Sequence, residues 1–208
     1  MANDLTDEDF SVIEDHAQAL GLLCIYWATL DNALFGLLAA YLNSDPVGLA
    51  VRAPDVSTLC EQIRKLAHVS GPDGEWRECL IRILNMIQGE LAETRNRYVH
   101  DDWEISAEGM TRIDRRPKLQ KPQAFQQVQL ISNFKTVVPV EWVRQLTGRV
   151  VEAMQAIAYM TLSLRLWRGG HGAKLPPTAL ELSNCTPLAE LRQPSKAKRK
   201  RPPRSSRR

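Results

Sequence analysis

From Phe10 to Tyr41 apolar residues return at alternating steps of three and four: Phe10, Ile13, Ala17, Leu20, Cys24 and Trp27, then Leu34, Leu38 and Tyr41. A half-buried strand needs alternation by two, so this spacing commits the segment to one long helix face. Thr6 followed by Asp9 supplies its start: a hydroxyl that accepts from first-turn amides, with acids at the positive helix end. Gly21 is a weak point and a possible kink, and Asn43-Ser44-Asp45-Pro46 is the stop.

The same period continues downstream. Leu59, Ile63, Leu66 and Ala67 predict a second helix from Asp55 or Ser57 to about Val69. Ser70-Gly71-Pro72-Asp73-Gly74 is a turn. A third helix starts near Glu75, with its stripe at Trp76, Leu80, Ile83, Leu84, Ile87, Leu91 and Tyr98. After Trp103 the pattern changes to a short β-hairpin, Trp103–Ser106 and Met110–Asp114, with Gly109 at the turn. Pro117 and Pro122 keep the next stretch out of helix. A fourth long helix begins near Pro139, its stripe running through Val143, Thr147, Val150, Met154, Ile157, Thr161 and Leu164. Gly169-Gly170 ends it, and a short helix is expected around Thr178–Leu182.

The expected fold is therefore all-α: an up-and-down bundle of four main helices, with a hairpin and Pro-rich insertion at about residues 103–138 before the last long helix. One helical domain covers residues 1–192. A disordered basic tail covers residues 193–208.

Charge is uneven between these parts. Eight of the 27 basic residues lie between Pro194 and Arg208, where there are no acids; the other 193 residues carry 19 basic and 24 acidic groups, a net of −5. The tail residues Lys196, Lys198, Arg199, Lys200, Arg201 and Arg204 are expected either to hold polyanions weakly in a salt-dependent, sequence-blind way or to form a solvated tail with no dedicated partner. The N-terminus opens acidic, unlike a signal peptide. Asp31 and Asn32 interrupt the apolar segment Ala17–Leu42, which argues against a membrane span. A soluble, cytoplasmic protein is expected. Cys24, Cys60, Cys79 and Cys185 show no close pairing, and His16, His68 and His171 have no ligand spacing with them. That argues against a disulfide scaffold, a zinc site or any other metal. No phosphate loop or serine-nucleophile motif is present, and no cofactor is expected.

The densest chemistry is Arg95-Asn96-Arg97-Tyr98-Val99-His100-Asp101-Asp102-Trp103. With about 100° per residue and Ile87 as the core direction, Leu91 and Tyr98 point inward, Arg95 lies on the flank, and Asn96 and His100 share the outer side. His exchanges protons near neutral pH. Arg clamps phosphate oxygens with a planar, permanently charged fork. Together these residues suit acid–base phosphodiester chemistry without a metal; they equally suit a solvated helix end.

Arg95-Asn96-x-x-x-His100 resembles the R-x4-6-H signature of the HEPN-domain family, including the polar residue after the Arg. Trp27-Ala-Thr-Leu-Asp31-Asn-Ala-Leu resembles the matching helix of bacterial members, and the likeness spans roughly residues 8 to 168. It implies a helical homodimer whose cleft holds the Arg and His of both copies, and metal-independent cleavage or binding of RNA. Carried over, His100 would transfer protons, Arg95 would stabilise the charged transition state, and Asn96 would orient the phosphate. Asp31 is a candidate supporting partner for Arg95, or a buried acid that fixes helix register. The insertion at 103–138 has no counterpart in a minimal bundle of this family. The competing expectation is a non-catalytic helical interaction module, such as the protein partner of a toxin–antitoxin or defence system.

Overall fold

The computed structural model describes residues 6–44, 55–106, 109–114, 118–119, 130–131 and 135–175. Helix α1 is Asp7–Leu42, and α2 is Val56–Ser70. Then α3 (Glu75–Met86), a π-helical turn (Ile87–Leu91) and α4 (Ala92–His100) run on as one continuous rod. Strands β1 (Asp102–Ser106), β2 (Gly109–Ile113), β3 (Lys118–Leu119), β4 (Leu130–Ile131) and β5 (Lys135–Val137) precede α5 (Val140–Arg168). The described fold is mainly helical with a small three-stranded sheet and a separate two-stranded one, β3 paired with β4.

The helix ends follow their capping chemistry. Thr6 and Asp9 form a reciprocal capping box, with Thr6 N donating to the Asp9 carboxylate at 2.9 Å and Asp9 N to Thr6 Oγ1 at 3.3 Å. Asn43 closes α1 in the left-handed region at φ 51°, which its short amide side chain tolerates. Asp55 caps α2 by accepting from Thr58 N at 2.7 Å. Pro139 stands at the start of α5, and Gly169 ends it. The helix expected at Thr178–Leu182 lies outside the described residues, as does the tail.

Helix direction departs from the up-and-down expectation. A ring nitrogen of His16 lies 2.9 Å from the Val138 carbonyl oxygen, while at the other end Arg168 donates to the carbonyls of Ala40 and Tyr41. So α1 and α5 run parallel. Gly71 sits against the Tyr41 hydroxyl, and Asp55 and Cys60 lie beside Asp31, so α2 is parallel to α1 as well. Only α3–α4 runs back, with Arg64 of α2 donating to Asn85 and Gln88, and Trp76 Nε1 donating to Ser163 Oγ at 3.0 Å. The reason is the link after α1. Thirteen residues separate Leu42 from Val56, enough chain at about 3.3 Å each to reach back from the end of α1 to the level of Asp31, where α2 starts.

The α1 stripe also needs correction. The buried residues are His16, Ala19, Leu23, Leu30, Leu34, Leu37, Leu38, Ala39, Ala40 and Tyr41, while Phe10 is 57% exposed. Trp27, Leu20 and Cys24 lie on a half-buried flank. Between Leu20 and Leu42 apolar residues stand nearly all round the helix, so spacing alone leaves its phase open. Before His16 the helix lies ahead of the level where α5 begins. Elsewhere most of the predicted stripes are buried: Leu59, Ile63 and Ala67 on α2, the Trp76-to-Tyr98 stripe on the third rod, and Val143, Val150, Ile157 and Leu164 on α5, while Leu66, Thr147, Met154 and Thr161 are only half-buried. By length and composition α1 could cross a membrane; a third of its most apolar window is buried within the protein.

The hairpin is present and gains a third strand. The sheet order is β1-β2-β5, all antiparallel, with Arg112 opposite Trp103 on one side and Thr136 on the other. This sheet caps the end of the bundle where α4 stops and α5 starts. Val138 N donates to Met110 O at 3.0 Å, and Trp103 Nε1 donates to Tyr98 O at 3.0 Å. Arg112, 3% exposed, meets the buried Asp101 carboxylate at 2.5 Å. The insertion therefore clamps the last turn of α4 from outside the bundle.

Candidate functional site

Helix α4 places its three candidate residues as its phase predicts. Thr94 and Tyr98 are buried, Arg95 is half-buried, and Asn96 and His100 are exposed. The π turn just before it has one added residue in its hydrogen-bonded loop. Glu90 of that turn pairs with Arg149 of α5, which ties the rod to its neighbour. Chain direction changes directly after His100: Asp101 is extended at φ −77°, ψ 161°, with its N–H still donating to Arg97 O at 3.1 Å.

Arg95, Asn96 and His100 come together. Arg95 Nη1 donates to Asn96 Oδ1 at 3.1 Å and lies 3.4 Å from His100 Nε2. The guanidinium carbon lies 5.6 Å from the centre of the Trp27 ring on α1. Arg95 Nε is shut off from solvent and has no hydrogen-bond acceptor. No carboxylate pairs with this guanidinium among the described residues. The cluster thus holds a charged, half-buried donor group beside an exposed imidazole and an exposed amide. A phosphate oxygen is the kind of acceptor that would complete it.

Asp31 is not part of that cluster. It is half-buried, and one carboxylate oxygen is covered without a donor. Burial pushes its carboxyl above the usual value, and the nearby Asp55 charge adds to the effect. The same acid lies near Cys60, whose thiol burial pushes up to about 12. Its surroundings are the α1–α2 interface. The basic residues Lys196, Lys198, Arg199, Lys200, Arg201 and Arg204 lie outside the described residues. Among the described residues no group of His, Cys, Asp and Glu is arranged to hold a metal ion.

Two contacts at this corner were not visible in the sequence. Trp27 reads there as one more apolar position, and nothing in its spacing points to Arg95. Asp101 and Arg112 lie on either side of a hairpin whose register the sequence leaves open. The alternation of the hairpin could have flagged Arg112 as a charged residue on the same strand face as the apolar Met110. Comparison of the chain with protein-family models, with curated proteins and with solved structures finds no match.

Proposed function

We propose that Arg95, Asn96 and His100 form the centre of a HEPN-like, metal-independent endoribonuclease or RNA-binding domain. The observation that carries this reading is the cluster itself: a guanidinium with no carboxylate partner among the described residues, held against an imidazole and an amide at the solvent edge of one helix. In the catalytic form, His100 takes the proton from a ribose 2′-OH as that oxygen bonds to the adjacent phosphorus. The P–O5′ bond breaks, leaving a 2′,3′-cyclic phosphate and a 5′-hydroxyl. Arg95 stabilises the charge that builds on the non-bridging oxygens, and Asn96 orients the phosphate. A second copy of the chain, facing the exposed Asn96 and His100, would supply the acid that protonates the leaving oxygen. The basic tail would raise the local RNA concentration.

The experiment is cleavage of labelled single-stranded RNA by the purified protein in EDTA. Cleavage is expected to fall about 10²–10⁴-fold in His100→Ala, and comparably in Arg95→Ala, with both variants folded by circular dichroism. Undiminished cleavage by either variant, or cleavage that EDTA abolishes, would refute the catalytic form.

A second reading is a helical interaction module without turnover. It is favoured by the outer face of α1, where Ala17, Gln18, Gly21, Leu22, Ile25 and Asn32 are exposed and none is charged. Leu22 and Ile25 are 44% and 62% exposed there. Absence of cleavage and of RNA binding, with self-association abolished by Ile25→Asp, would favour this reading over the first.

A further inference from the structure

Arg95 differs from the ion-paired arginines in what holds it. Arg77, Arg97, Arg112, Arg144 and Arg149 each pair with a carboxylate. Such a pairing cancels much of the charge that a third group could feel. Arg95 instead rests on the ring of Trp27, a residue of α1 packed against the edge of the core. A ring face attracts a cation through its quadrupole but carries no net charge. It fixes the guanidinium without neutralising it. Of the three nitrogens, Nη1 is engaged by Asn96 and His100, Nε is covered, and Nη2 makes no hydrogen bond among the described residues.

We propose that Trp27 is a positioning residue of this site, holding Arg95 as an un-neutralised cation whose Nη2 is left to take a phosphate oxygen of single-stranded RNA. This rests on reading the Arg95 cluster as an RNA site. The need is for an aromatic face at position 27, not for bulk. Phe supplies a weaker quadrupole in the same place; Leu supplies apolar contact of smaller volume and no quadrupole.

The test is a double-mutant cycle on binding. The probe is a fluorescent 2′-O-methyl RNA, which has no free 2′-OH and stays intact. Affinities are compared at one fixed salt concentration for the full chain, Trp27→Leu, Trp27→Phe, Arg95→Met and the Trp27→Leu/Arg95→Met double variant, with urea midpoints recorded for each. Trp27→Leu is expected to weaken binding about five- to tenfold. The double variant should bind no more weakly than Arg95→Met alone, because Trp27 acts through Arg95. Trp27→Phe should stay within about twofold of the wild type. If Trp27→Leu does not fold, Trp27→Met gives the same comparison. Additive losses in the double variant, or a Phe variant as weak as Leu, would overturn the role of Trp27 while the site reading stands. If Arg95→Met binds as tightly as the wild type, the site reading fails and the role of Trp27 fails with it.

Discussion

At the sheet end of the bundle, His16 and Arg112 are 5% and 3% exposed, and both are answered by partners. The His16 ring sits between the carbonyl oxygens of Val12 and Val138, at 3.0 and 2.9 Å, and Arg112 meets the buried Asp101. On the helix that leads into this corner, Arg95 and His100 are the same two residue types held in the opposite way. They touch each other, Arg95 also donates to the Asn96 side-chain oxygen, both reach solvent, and neither pairs with a carboxylate among the described residues. A buried polar group without a partner is costly, so a buried His or Arg is committed to the fold by the groups that satisfy it. A partly exposed one with spare donors is free to be satisfied by a ligand. Residue type alone does not separate these cases; partners do.

The sharpest way to break this contrast is to remove each arginine in turn. Arg112→Met leaves Asp101 as a buried carboxylate without its cation, and a loss of about 3–5 kcal/mol is expected. Replacing both, with Asp101→Leu added, should recover most of that loss, since an apolar pair of similar volume avoids the desolvation of two ions. Arg95→Met should cost less than about 1 kcal/mol, in the range of partly exposed substitutions. Urea denaturation at neutral pH measures all three. Equal losses for Arg112→Met and Arg95→Met would erase the distinction between the two regions.

The histidines give a smaller version of the same comparison. His16→Ala removes the ring nitrogen that lies 2.9 Å from the buried Val138 carbonyl oxygen at the entry to α5. Leaving a buried acceptor unsatisfied costs about 1–3 kcal/mol. His100→Ala removes an exposed side chain at a helix end and should move the urea midpoint little, within about 0.5 kcal/mol. Loss of stability in His100→Ala to the level of His16→Ala would place His100 with the structural residues.

The contrast also explains which features were legible in the sequence. Helix ends were, because capping is local: Thr6 with Asp9, Asp55, Pro139 and Gly169 act within a turn of where they stand. So was the face of α4, since Tyr98 and Asn96 are fixed by the period of a single helix. The phase of α1 was not, because too many of its residues are apolar for spacing to choose among faces. Neither was the parallel run of α1 and α2, which depends on what a thirteen-residue link spans. The third strand was hidden because Lys135–Val137 is too short to show alternation. Partnering of the arginines was hidden for a different reason. Arg95 meets Trp27 and Arg112 meets Asp101 only once the helices and the hairpin are docked.

Asp31 tests the contrast at its finest grain, because it is neither well partnered nor freely exposed. One of its oxygens is covered without a donor, and both burial and the Asp55 charge raise its carboxyl above the usual 3.8. An acid raised on folding is penalised in its charged form. At neutral pH the folded protein carries that cost in full. As pH falls through the raised value, the folded state takes up the proton before the unfolded chain does, and stability recovers. Below 3.8 both states are protonated and the cost is gone. Asp31→Asn should therefore raise the urea midpoint at pH 7, by less than about 1 kcal/mol because the side chain is part exposed. The gain should shrink as pH is lowered and vanish below 3.8. If Asp31 instead supports Arg95 as an ionic partner, the same substitution should lower the midpoint at pH 7 and weaken RNA binding together. A stabilised Asp31→Asn that binds RNA as the wild type does would leave Trp27, and not Asp31, as the contact from α1 that the site depends on.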